Sequence, residues 1–105
     1  MLIAAALLLQ AAAPQAAAPR TDSPYEAAAR PWAECTRRHA VAARAAPGKE
    51  EEAADAAFAA CSAEEAVMRA QMARQLGEEG AASMLPMVRD IARKALVALV
   101  KRQGA

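Results

Sequence analysis

Aromatic residues are almost missing from this chain of 105 residues: Tyr25, Trp32 and Phe58 are all it has. Glycine is sparse too, at four, and β-branched residues are few, so the side chains that pack a sheet are in short supply. Net charge is nearly absent. Thirteen Lys and Arg against twelve Asp and Glu leave +1, which makes no case for nucleic acid. A long apolar run is lacking as well: the longest stretch, residues 2–13, falls short of the roughly 20 residues that cross a bilayer. There is no Gly-rich phosphate loop, no serine-nucleophile motif, no C-x-x-C and no carboxylate pair beside an acid–base partner. The sequence therefore predicts neither an enzyme nor a cofactor.

What is present is alanine, 34 residues of it, with Leu, Glu, Arg and Met making up much of the rest. These are helix formers, and the length suits one small domain. The expectation is an all-α fold of three or four helices, in which a disulfide-stapled antiparallel hairpin is joined by a C-terminal amphipathic helix.

The N-terminus carries a different signal. Leu2 to Leu9 form a short apolar stretch leading into the small residues Ala11 to Ala13 and Ala16 to Ala18, the pattern of a secretory signal peptide over residues 1–18. The n-region has no Lys or Arg, and Pro14 and Pro19 follow the two small-residue sites, which leaves cleavage anywhere between Ala11 and Ala18. Residues 19–30 read as a flexible linker and residues 31–105 as the folded domain. This implies a periplasmic or secreted protein, in a compartment where cysteines oxidise.

Two cysteines allow one intramolecular pairing. Pro31 to Ala46 reads as a helix, with Glu34 and Arg38 as an i,i+4 pair and Pro47-Gly48 as its stop. A second helix starts near Glu50, where Glu50, Glu51 and Glu52 favour the positive end of the helix dipole. Cys35 lies thirteen residues before Gly48 and Cys61 thirteen residues after it. A hairpin folded at Pro47-Gly48 brings the two cysteines level, so the hairpin and the disulfide predict each other. The facing positions would be Trp32, Cys35, His39, Ala42 and Ala46 on one helix and Ala54, Ala57, Phe58 and Cys61 on the other.

Ser62-Ala63-Glu64-Glu65 has the form of a capping box, but no helix breaker precedes it, which leaves both one helix over residues 50–76 and two helices open. Val67, Met68, Met72 and Leu76 are its larger apolar positions, and Gly77 its C-cap. The last helix starts from Ser83 and runs to Arg102. Its apolar stripe includes Leu85, Val88, Ile91, Leu96 and Leu99, and Arg89, Arg93, Lys94, Lys101 and Arg102 fill much of the remainder. These ten residues form the candidate interaction face, for a protein partner or for self-association, with an anionic membrane surface as the alternative. Charge is segregated along the chain: residues 49–65 hold six acids and one base, and residues 89–102 five bases and one acid. Helix dipoles alone favour such a distribution.

Two further constellations bear chemistry. Met68 and Met72 at i,i+4, with Met84 and Met87 at i,i+3, are thioethers of the kind that select Cu(I), although methionine at helical spacing is more often core filler. His39, one turn after Cys35, would make a reactive or metal-binding pair with it were the cysteine not taken by the disulfide. The exported leader, the Trp-x-x-Cys element at Trp32 and Cys35, the Ala-Ala-Cys-Ser-Ala-Glu-Glu element from Ala59 to Glu65, and the amphipathic C-terminal helix together resemble small Ala-rich exported helical proteins of proteobacteria. The resemblance implies export and brings no activity or functional residue with it.

Overall fold

The computed structural model describes residues 23–104, so the signal-peptide segment lies outside the described residues. Three helices make up the described residues: α1 (Pro24–Ala42), α2 (Glu50–Ala60) and α3 (Ser62–Gly104), and each packs against the other two. Among the described residues there is no strand, and no helix is long and apolar enough to cross a membrane.

α1 starts seven residues earlier than the sequence predicts, so residues 24–30 are helix rather than linker. Ser23 caps it: the Glu26 amide donates to Ser23 Oγ at 3.4 Å, and Ser23 Oγ donates to Glu26 Oε1 at 3.0 Å. Pro24 occupies the first turn, where its missing N–H is not needed. Pro31 then falls inside the helix, and its ring deprives the Ala27 carbonyl of an amide. Both residues are exposed, so water can take that carbonyl. α1 also ends early, at Ala42. Arg44, with φ 45°, turns the chain away, and Lys49 N–H donates to the Ala46 carbonyl at 2.9 Å across Pro47 and Gly48. Proline second and a glycine with φ 88° third are the signature of a type II turn.

Residues 50–76 are two helices. Cys61, at φ −108° and ψ 26°, leaves the helical region between α2 and α3, although the Glu65 amide still donates to the Cys61 carbonyl at 3.1 Å. The capping box does not form, because Glu65 turns its carboxylate to Arg89 and Arg69. α3 consists of two arms, residues 62–76 and 78–104, joined at Gly77, whose φ 77° and ψ 168° lie in a region open essentially to glycine alone. The C-cap at Gly77 is thus real, but the next helix restarts at once instead of waiting for Ser83. Glu78 and Glu79 suit a first turn, and Ala81 is buried and anchors it.

One core runs the length of the three helices. α1 contributes Trp32, Cys35, Thr36 and Ala40; α2 contributes Ala53, Ala54, Ala57 and Phe58; α3 contributes Met68, Met72, Ala81, Leu85, Leu96 and Val100. The α2 face is as its spacing predicts. On α1 the buried face passes through Thr36 and Ala40, while His39, Ala42 and Ala46 are exposed, because α1 packs against α3 as well as against α2. Thr36 satisfies its hydroxyl locally by donating to the Ala33 carbonyl at 3.0 Å. Val67 and Leu76 are exposed at 58% and 40%, so only Met68 and Met72 of that group enter the core.

The Cys35–Cys61 disulfide ties the middle of α1 to the elbow between α2 and α3, with Cα atoms 6.0 Å apart and 26 residues of sequence separation. It crosses an interface made largely of alanine, which allows close approach but buries little apolar area. In the chain-entropy description a loop of this length is worth about 3.5 kcal/mol. The paired substitution Cys35→Ala with Cys61→Ala is accordingly expected to lower the stability measured by urea unfolding by about that amount. A loss under about 1 kcal/mol would show that the alanine interface holds without the cross-link.

Candidate functional site

The segregated charges of the sequence meet in space. Arg93, on the second arm of α3, grips Asp55 of α2 through two hydrogen bonds, Nε to Oδ1 at 2.9 Å and Nη2 to Oδ2 at 3.1 Å, and Glu51 lies 3.7 Å away. The hydrogen bonds to Asp55, and then its charge, raise the Arg93 pKa above its ordinary value. Arg89, one turn earlier, has its Nε 3.1 Å from Glu65 Oε1 on the first arm; the N–H is not aimed at that oxygen, so the contact is an ion pair rather than a hydrogen bond. Arg69 reaches the other Glu65 oxygen at 3.9 Å.

Arg89 also lies over the Phe58 ring, 5.2 Å from its centroid. Phe58 in turn stacks on Trp32, centroids 5.5 Å apart and planes 9° from parallel. A continuous column of cation and rings thus links α3, α2 and α1. The Trp32 indole N–H is buried without an acceptor among the described residues, so it adds packing area without hydrogen bonding. Beside the column, an open groove of about 640 Å³ is lined by Asp55, Phe58, Arg69, Leu85, Pro86 and Arg93 among others. Its arginines are already turned to the protein's own carboxylates.

This geometry revises the candidate interaction face. Leu85 and Leu96 are core residues, Val88 and Leu99 are half-buried, and Arg89 and Arg93 hold α2 and the first arm. Lys94 pairs with Asp90 one turn back at 3.0 Å, and Lys101 and Arg102 are exposed. Ile91, at 67% exposure, is the one large apolar member that faces solvent. Beside it on the same side of the helix stand Met87, at 64% exposure, Ala95 and Ala98, so that residues 87, 91, 95 and 98 are spaced 4, 4 and 3 apart. Two shallow grooves adjoin the C-terminal part of this ridge, one lined in part by Ala95 and the other by Ala98. The first, about 420 Å³, includes Arg30, Arg37, Leu96 and Arg102 in its lining, and the second, about 300 Å³, includes Glu51, Asp90, Lys94 and Lys101. The 3.6-residue period reports that α3 has an apolar side; it does not report that Met87 and Ile91 are the members left facing solvent.

The methionines are divided. Met68 and Met72 are fully buried, Met84 is half-buried, and Met87 is turned to solvent, so the four thioethers are shared between core and surface. Cys35, His39 and Cys61 do gather: their donor atoms lie within 4.8 Å of one another. Comparisons with protein-family models, with curated proteins and with solved structures find no match for this chain.

The two kinds of ion pair differ enough to separate by mutation. Arg89→Ala strips a cation from a half-buried carboxylate and from an aromatic face at once, and is expected to cost about 1–2 kcal/mol. Lys94→Ala, in a pair with both partners mostly in water, is expected to cost under about 0.5 kcal/mol. Urea unfolding of both variants checks the contrast, and equal losses would refute it.

Proposed function

We propose that this protein is an exported, non-enzymatic helical module that works by protein contact, made through the solvent-facing ridge of α3. The supporting observation is the Met87–Ile91 pair with Ala95 and Ala98. It places two large apolar side chains and two small ones in a row on the solvent side of a helix whose opposite side is packed in the core through Leu85, Leu96 and Val100. Small residues beside large ones let a second helix approach closely, and the flanking grooves receive its side chains. Self-association is the simplest form of such contact, since a two-fold axis would bring the ridge against itself.

The membrane-surface alternative draws less support. Of the five basic residues on which it rests, Arg89 and Arg93 are engaged by Glu65 and Asp55, and Lys94 is paired with Asp90. That leaves Lys101 and Arg102, short of the basic face by which an interfacial helix holds anionic lipid. Export is supported by the leader-like residues 1–18 and by the compatibility of a disulfide with an oxidising compartment. A Cu(I) carrier built on methionines has the weakest support, because Met68 and Met72 serve as core.

The experiment combines location with contact. The protein recovered from the cell envelope is expected to show an intact mass short of the first eleven to eighteen residues. It is then examined by sedimentation equilibrium over a wide concentration range, and in the envelope with a photo-crosslinker at position 91 or, as control, at the exposed position 59. A concentration-dependent dimer that Ile91→Glu weakens about tenfold or more, or a discrete protein adduct formed from position 91 and not from 59, supports the proposal. A monomer at every concentration with no adduct specific to position 91 overturns it.

A further inference from the structure

The grouping of Cys35, His39 and Cys61 goes beyond what a disulfide requires. Cys35 and His39 are one turn apart on α1 and so project from the same side of the helix. Cys61 meets them from the elbow between α2 and α3. All three donor atoms fall within 4.8 Å of one another. In a tetrahedral zinc site, with Zn–S about 2.3 Å and Zn–N about 2.0 Å, neighbouring ligand atoms are separated by about 3.5–3.8 Å. With the cysteine Cα atoms 6.0 Å apart and all three donor atoms within 4.8 Å of one another, the residues already stand close to that spacing. Two sulfurs and an imidazole are the borderline-soft set that zinc prefers over the harder divalent ions. The sulfurs are buried and the imidazole is exposed, which leaves the solvent side open for a water as fourth ligand.

We infer that in the dithiol form Cys35, Cys61 and His39 constitute a Zn²⁺ site, and that metal and disulfide are alternative closures of the same helix junction. Conversion to the dithiol needs a dithiol reductant. Its thiolate attacks one sulfur of the disulfide, the S–S bond breaks, and a second exchange releases the reductant as its own disulfide, with two electrons passed to Cys35 and Cys61. Zn²⁺ then displaces one proton from each thiol, forming two Zn–S bonds and one Zn–N bond to His39 with no change of oxidation state. In the other direction an oxidised dithiol takes the two electrons, the S–S bond reforms, and zinc leaves, because each sulfur is then bonded to the other. Either closure holds α1 to the elbow, where the alanine interface by itself is thin.

The test uses the full folded chain, reduced under argon and freed of reductant, titrated first with Co²⁺ and then with Zn²⁺ in competition with a chromophoric chelator, while helix content is followed by circular dichroism. One equivalent of Co²⁺ is expected to give tetrahedral d–d bands with thiolate-to-metal charge transfer, which Zn²⁺ displaces. His39→Ala should weaken zinc binding by about 10- to 100-fold. Cys61→Ser should remove most of the charge transfer, and the oxidised protein should bind none. Because His39 is exposed, oxidised His39→Ala should keep the wild-type helix content. If reduction alone lowers helix content, restoration at one equivalent of Zn²⁺ supports the site. Absence of tetrahedral bands in the reduced wild type overturns the proposal, and so does zinc affinity unchanged by His39→Ala.

Discussion

The sulfur–sulfur bond between Cys35 and Cys61 joins the middle of α1 to the one place where α2 and α3 are not continuous, and the rest of the packing is arranged around it. Among the described residues, five of the fourteen buried apolar residues are alanine: Ala40, Ala53, Ala54, Ala57 and Ala81 contribute methyl groups, as the smallest pieces of a core whose larger members are few. A chain with so little aromatic area gains modestly from each contact, and a covalent constraint on the unfolded state supplies what the side chains do not. Trp32 and Phe58, two of the three aromatics, stack within this same region, so the heaviest packing and the cross-link reinforce one junction.

From that junction the charges follow. Folding α3 back along α2 sets Arg93 against Asp55 and Glu51, and Arg89 against Glu65. Charge that looks segregated along the chain is thereby paired across the fold, and the basic C-terminal arm is much less available to an external anion than its sequence suggests. Surface pairs of this kind add little energy individually, but they discriminate between helix registers, since a slide of one turn would break the two-point grip on Asp55. Of the large apolar side chains still exposed after the core and the ion pairs are formed, Val67 and Leu76 lie on the first arm, while Met87 and Ile91 stand one turn apart on the second beside Ala95 and Ala98, and this row is why protein contact through the ridge is the function we propose.

Much of the architecture was legible in the residues. The symmetric placement of Cys35 and Cys61 about Gly48 predicted the hairpin because two antiparallel helices of equal rise bring equally distant residues level. Gly77 was legible as a helix end. Its immediate successor was not, since nothing between Gly77 and Ser83 except Gly80 disfavours helix, and a break without a loop leaves no compositional mark. The α1 face was misassigned by one position for a related reason: the apolar spacing from Trp32 and Cys35 fits His39 as well as Thr36 and Ala40, and only contact with α3 decides between them. Leu85 and Leu96 could not be separated from Ile91 by periodicity, because all three belong to one apolar side and only the position of α1 tells which part of it is covered. The nearness of His39 to both cysteines was half legible, as an i,i+4 pair with Cys35; its approach to Cys61 required the elbow.

Amide hydrogen exchange, compared between the oxidised protein and the reduced, metal-free protein, tests the dependence of the fold on its cross-link most directly. If the disulfide is the constraint on which the packing rests, reduction speeds exchange together in α1, in α2 and in the part of α3 around Met68 and Met72, as one cooperative unit. Protection that stays the same across those segments after reduction would contradict the account, and would place the stability of the bundle in its alanine interfaces and ion pairs instead.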